Sequence, residues 1–593
     1  MHLLIVPSGE IMARKLIFVA SLLAAIGVAG CSKTADEAAD GPAIEPADLV
    51  LTGGTIATVD DSLGMVEAIA VSGHRIVAVG TADEIAPYIS ETTNVVDLAG
   101  RFAMPGFIEG HGHFLSYGAA QLNLDLTTAD NWNDIVTQVA VEADKSKPGE
   151  WILGHGWHQD KWTSLPGNAV DGSPRNDALS EAAPNNPVFL VHASGHASIA
   201  NAAALEAAGI GAETDDPDGG TIVRDEAGAA TGLLRENAQD AVEMALAEHE
   251  KGMSPDELEQ RARQQVYLAS ESALAHGITS FQDAGTSFEN IDFLRMLEQE
   301  GALPIRLYVM VRYEPVERLA ELLPHYRMPA EENDFLVVRS IKQQIDGALG
   351  VHGAWLLEPY IDMPETDGLV LEPVAQVETI SRLAIEHGYQ VNTHAIGDRA
   401  NREVLDIYER IWEEAQVDGS SLRWRIEHAQ HVHPDDIPRF GSMGVIASVQ
   451  GVHCTSDGPW IPDRLGDERA LETSYRWRDM IDTGAILNNG TDVPVEAISA
   501  IASYYSSVAR ISKDGSRCGA DQAMTREEAL KSYTINNAIA AFEEHQKGSL
   551  VPGKLADIVV LSENLLTVDE AKLPATQVEM TIVGGEIAYQ RGN

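Results

Sequence analysis

The feature that most constrains this chain is an alternation across residues 106–544, where short apolar runs are separated by helical stretches. The runs include GITSFQDAG, IRLYVMVRY, YQVNTHAIGD, RWRIEHAQ, VIASVQGVH and AILNNGTDVP. An apolar run followed by a helix, many times over, builds a parallel sheet, because each crossover must carry the chain back before the next strand starts. At this length the economical closure is an α/β fold of the (β/α)8 TIM-like barrel type, whose chemistry sits at the C-terminal ends of the strands. Residues that directly follow each apolar run are therefore the ones to examine.

The ends of the chain read differently. DLVLTGGTIATV, AIAVSGHRIVAVG and VVDLAGRFAMPGF in residues 48–105 are short strands broken by turn residues, and LADIVVL and VEMTIVGGEIAYQ in 545–593 share that style. Period-two alternation between turn residues predicts strands. The two segments are expected to form one small β-sandwich domain. Residues 127–265, with the Trp-rich WILGHGWHQDKW, exceed an ordinary connection and read as an insertion over the barrel mouth.

The first residues read as an address. Arg14 and Lys15 precede an apolar run at 16–28 that ends in Ala29-Gly30-Cys31, with Met12 an alternative start. This is the layout of a secretory signal over residues 1–31, and Val28-Ala29-Gly30-Cys31 matches a bacterial lipobox with Cys31 as the lipidated residue. Residues 32–47, rich in Ala, Asp, Glu and Pro, read as a flexible tether. The expected location is periplasmic or membrane-anchored, with membrane contact only through Cys31.

The 593 residues carry 90 acidic against 41 basic side chains, a formal charge of -49. Such a surface repels nucleic-acid phosphates, so a small-molecule substrate is the expected partner. Cys31, Cys454 and Cys518 are the three cysteines, too few for a disulfide framework, and Cys454 reads as a small buried or pocket-wall thiol.

Histidines cluster at the strand ends. His111 and His113 in PGFIEGHGHF lie i and i+2 after an apolar run, on one face, where both imidazoles can reach a single ion. His394 in YQVNTHAIGD, His428 in RWRIEHAQ and Asp492 at the end of AILNNGTD are candidate ligands on successive strands, and Lys342 in FLVVRSIKQQIDGALG occupies another.

Taken in order, HxH, Lys, His, His and Asp resemble the amidohydrolase superfamily. PGFIEGHGHF, GITSFQDAG, KQQIDGALG, NTHAIGD, IEHAQ, ASVQGVHCTSD, GTDVPVE and GSLVPGKLADIVVL are similar to its amidohydrolase 3 branch, which includes N-substituted formamide deformylases. The resemblance implies a hydrolase that cleaves a non-peptide C–N bond in an amide, formamide or cyclic amide through metal-activated hydroxide. It implies a binuclear zinc site, with His111, His113 and Asp492 on one ion, His394 and His428 on the other, and Lys342 carboxylated on its amine as the bridge. An unmodified ammonium only donates, so that role requires the modification. Asp492 would move the proton from the nucleophile to the departing nitrogen. Deamination or ester hydrolysis at the same site, and a non-catalytic ligand-binding lipoprotein, are the alternatives.

Other residues carry weaker signals. His196 in HASGHASIAN, Trp157 and His453 are candidate substrate contacts, with Ser194 standing where the branch usually has Asp. His155 and His158 fit either a pocket lid or aromatic packing. Asp283 and Asp346 fit either imidazole orientation or loop capping. Glu427, on the opposite strand face from His428, reads as structural, and His431 and His433 as solvent-exposed or supporting.

Overall fold

The computed structural model describes residues 44–330 and 334–592. The signal segment, Cys31 and most of the tether lie outside the described residues. No described helix is long and apolar enough to cross a membrane.

Eight strands form one parallel sheet in chain order: β1 (Phe107–Gly112), β2 (Ile278–Thr286), β3 (Arg306–Val311), β4 (Leu336–Gln344), β5 (Gln390–Ala395), β6 (Arg425–His428), β7 (Ile446–Gln450) and β8 (Leu487–Gly490). Nearly every residue of these strands is buried, the expected consequence of covering a parallel sheet with helices. The helix Asp398–Ala415 shows how the cover works. Ala400, Val404, Leu405, Ile407, Tyr408, Ile411 and Trp412 recur at helical spacing and all face inward, leaving its charged residues to water.

The barrel closes where β8 meets β1. The Asp492 amide donates to the His111 carbonyl at 2.8 Å, and the His113 amide donates to the Val493 carbonyl at 2.7 Å. The Asn537 side-chain amide clamps the seam, donating to Ile108 O at 2.6 Å and Asn489 O at 2.9 Å. Close approach here demands glycine: a Cβ on Gly110 would lie 2.4 Å from Asn489 O, and one on Gly490 would lie 2.5 Å from His111 N.

Between β1 and β2 the chain builds a further six-stranded sheet. In sheet order its strands are Gly220–Arg224, Ala230–Glu236, Ala197–Ala200, Val188–His192, Ile152–Trp157 and Leu124–Asp125. The chain ends form two more sheets. In one, Phe102–Pro105 pairs antiparallel with Ile558–Leu561, joining the N- and C-terminal segments. Leu51, Ile69, Val71, Ala103, Ile558 and Ile582 share one apolar cluster between these sheets.

One expectation is overturned, and a choice between two alternatives is decided. Cys454 is not a free thiol but is bonded to Cys518, with Cα atoms 5.9 Å apart and a sequence separation of 64. The fold brings the helix Gly451–Asp457 against the Arg510–Cys518 loop, a proximity no local pattern encodes. His431 is fully buried rather than solvent-exposed, its Nδ1 paired with Ser474 Oγ at 2.9 Å.

Candidate active site

Asp492 stands at the centre of the C-terminal mouth. Its Oδ1 lies 3.4 Å from His111 Nε2 and 3.2 Å from His113 Nε2, while its Oδ2 lies 4.0 Å from His428 Nδ1 and 3.8 Å from His453 Nε2. His111, His113 and Asp492 form one group able to hold an ion, and His428, His453 and Asp492 form another. The His394 ring is 4.5 Å from the His428 ring, centroid to centroid, and its Nε2 lies 3.5 Å from Asp346 Oδ1. Thus the structure gathers His111, His113, His394, His428 and Asp492 at one place, and adds His453, which the sequence offered only as a substrate contact.

The donor chemistry fits a cation. His111 Nδ1 donates to the Glu427 carboxylate, so its Nε2 presents a lone pair, and that atom has no hydrogen-bond partner among the described residues. Asp492 Oδ1, His394 Nε2 and His453 Nε2 are likewise buried without partners. Gln450 Nε2 is engaged by Ser448 O at 3.2 Å, which leaves Gln450 Oε1 to accept from His428 Nδ1 at 2.8 Å. Facing acceptors that find no donor are costly in an apolar interior and become favourable around a positive ion.

Electrostatics agree. Burial pushes His111 and His394 well below the ordinary imidazole range and His428 down to about 3, and neutral imidazole is the ligating form. Burial opposes ionisation of Asp492, but His111, His113 and His428 outweigh it and hold the carboxyl well below the usual carboxylate range. Lys342 on β4 is buried, which lowers its amine to about 7, so a sizeable neutral fraction is present near neutral pH.

Backbone strain concentrates here too. His428 has φ 76° and Asp492 φ 62°, both in the left-handed region that non-glycine residues avoid.

The structure decides the roles of three carboxylates that the sequence left open or read as structural. Glu427 does point away from His428, but into the barrel, where it accepts from His111 and from Arg425 Nε at 2.6 Å. It therefore fixes the tautomer of a candidate ligand, as carboxylates behind metal-binding histidines do. Asp346 accepts amides of Ile396, Gly397 and Trp355 at 2.8–3.0 Å, which anchors the loop after His394. Asp283 accepts the Phe114 amide at 2.9 Å, fixing the helix that begins after His113. These two carboxylates cap backbone rather than bond imidazoles.

His196 reaches the cleft from the inserted sheet, with its ring 5.5 Å from that of His394. Its Nδ1 lies 2.7 Å from Glu236 Oε2. Burial works against protonating His196, yet the Glu236 charge and hydrogen bond prevail and raise it. Gly347 and Gly353 leave room for that carboxylate, since a Cβ on either would fall within 2.4 Å of Glu236 Oε1. Trp157 does not face the Asp492 cleft. Its indole N–H donates to Leu190 O at 2.9 Å, and it packs against Trp162 and His192. The cleft itself is walled by His158, His196, Leu349, His453, Trp460 and Val495 among others.

A carboxylate and histidines at the C-terminal mouth of a parallel barrel define the layout of a barrel hydrolase. The Amidohydrolase family model matches residues 94–589. The chain is 34% identical over 561 residues to Protein LONG AFTER FAR-RED 3 of Arabidopsis thaliana, covering 92% of each. It is 27% identical to the N-substituted formamide deformylase of Arthrobacter pascens, covering 92% of this chain and 98% of that one. A crystal structure of an uncharacterized metal-dependent hydrolase from Pyrococcus horikoshii superposes with a TM-score of 0.70 at 27% identity, covering 88% of this chain and 99% of the other. The chain belongs to the amidohydrolase family. It is an enzyme of the class acting on carbon–nitrogen bonds other than peptide bonds.

Proposed function

We propose that the protein is an exported hydrolase of amides, formamides or cyclic amides that works with two zinc ions. The observation that carries this reading is the convergence of His111, His113, His394, His428 and Asp492, of which His111 Nε2, His394 Nε2 and Asp492 Oδ1 are buried without partners among the described residues. His111, His113 and Asp492 would hold one ion, and His394 and His428 the other, with His453 close enough to Asp492 to join them. Lys342, lowered to about 7 by burial, is suited to carboxylation, since a neutral amine is the nucleophile that captures carbon dioxide, and the product would bridge the ions. The formamide deformylase relative supports formamide among the substrates.

Bound divalent ions supply water activation and polarisation of the carbonyl. Asp492, held well below the usual carboxylate range, accepts the proton of the attacking water and returns it to the departing nitrogen. Glu427 holds His111 in the ligating tautomer, and the Glu236–His196 pair orients the substrate from the cleft wall. Lys161 and Glu496, 3.1 Å apart, link the insertion to the barrel at the cleft. The Cys454–Cys518 bond supports export, because disulfides persist in oxidising compartments. Lipidation at Cys31 would then tether the enzyme.

The test is elemental analysis of mature protein prepared with zinc and bicarbonate. The expected result is about two ions per chain, falling to about one in Lys342→Ala. About one ion in both proteins would leave a single-ion enzyme, and no bound metal would overturn the reading.

A further inference from the structure

Beside the Asp492 cleft lies a second, smaller cavity that shares His192, Gly350 and Val351 with it as common wall. Its lining is unusual in the hydrogen bonds left unmade. Arg235, on the inserted strand Ala230–Glu236, has only 13% of its side chain exposed. Among the described residues its guanidinium finds one polar partner, Asp171 Oδ2, at 3.7 Å, and that carboxylate is half in solvent. Arg464 is anchored by Asp362 at 2.8 Å and Gly350 O at 3.2 Å, but its Nε–H is buried without an acceptor.

His192 adds a third donor. The Ser194 amide donates to His192 Nδ1 at 3.1 Å, so the ring proton sits on Nε2, which is buried and unpartnered. Arg464 Nε–H and His192 Nε2–H lack an acceptor among the described residues, and Arg235 has only the long contact to Asp171. Donors so poorly matched are costly in an interior unless a ligand supplies oxygen. Guanidinium is matched in shape and charge to carboxylate. Asp160 also lines the cavity but is engaged by Gln159 Nε2 at 3.0 Å and stands 4.0 Å from Arg464 Nη2.

We propose that this cavity is a carboxylate subsite: the substrate is an amide or formamide whose far end carries a carboxylate, gripped by Arg235 with Arg464 Nε and His192 Nε2, while the scissile bond lies at Asp492. The cleavage part of this statement rests on the function proposed above, whereas the subsite does not. Arg235 and Glu236 are neighbours on one strand, so the strand that positions His196 at the cleft also places the guanidinium in the cavity.

The experiment compares N-formyl ω-amino acids of increasing chain length with the matching N-formyl alkylamines, using the zinc-loaded full chain. The expected result is a preference in kcat/KM for one length of the carboxylated series. That preference falls about 30-fold or more in Arg235→Gln, as expected for loss of a buried charged contact. It rises in Asp171→Asn, which removes the competing carboxylate from a surface position and does not depend on how Arg235→Gln folds. A ratio unchanged in both variants overturns the subsite. If neither series is hydrolysed, the amide reading fails and the subsite is judged by calorimetric binding of the same N-formyl ω-amino acids. Affinity lost in Arg235→Gln supports it, and equal affinity in the two proteins overturns it.

Discussion

The two ends of the barrel treat buried polar atoms in opposite ways. At the N-terminal end Arg306, the first residue of β3, donates to Asp557 through Nε at 2.8 Å and Nη2 at 3.1 Å, and to Asp334 O through Nη1 at 3.0 Å. Asp557 also accepts the Gly584 amide at 2.8 Å, which ties the C-terminal strands to the barrel floor. Lys547 donates to Ser280 Oγ at 2.6 Å at the start of β2. At the C-terminal end the nitrogens of His111, His394 and His453 and an oxygen of Asp492 are left without partners. The floor uses polar groups for stability. The mouth forgoes that stability to keep donors and acceptors for ligands, as barrel enzymes generally do.

Substitutions should separate these roles. The largest effect is expected for Asp492→Ala, which should lower kcat/KM about a thousandfold or more without lowering the melting temperature of the metal-free protein. Activity within tenfold of the parent would break the assignment of the mouth to catalysis. Arg306→Met at the floor should do the reverse, costing about 3 kcal/mol in urea unfolding because Asp557 is left buried with less compensation. Activity per folded molecule should persist, and a loss of kcat with unchanged stability would contradict the contrast.

The smallest effect lies on the flank. Arg478, then the Thr525 backbone, hold Glu528 down to about 2 against burial. A carboxyl lowered on folding stabilises above its ordinary range near 4.3 and loses that contribution as pH falls through about 2. The group is largely solvent-screened, so Glu528→Gln should cost less than about 1 kcal/mol at pH 7, a difference that shrinks in acid. A difference that grows in acid would reverse the sign of this coupling.

Much of this was legible in the sequence. The barrel followed from alternating strand and helix segments, because a fully covered parallel sheet writes itself as continuous apolar runs. His111, His113, His394, His428 and Asp492 stood out because each ends such a run. Glu427 was legible as facing away from His428, but not as a partner of His111, since that contact is made across the barrel interior. Trp157 was legible as a candidate substrate contact, but its place on the wall of the cavity beside the cleft, rather than on the Asp492 cleft itself, needs the neighbouring sheet in position.

What the sequence determined by itself was therefore local: which segments become strands, which face each side chain takes, and which residue types stand at the strand ends. Tertiary structure alone decided what meets what. Closure of β8 onto β1 set Asp492 against His111 and His113. Packing of the helix Gly451–Asp457 brought His453 to Asp492 and Cys454 to Cys518. The inserted sheet carried His196 to the cleft and Arg235 to the cavity beside it. The physical reason is that backbone periodicity is encoded over a few residues, whereas these contacts join segments far apart in the chain and exist only once the barrel has closed.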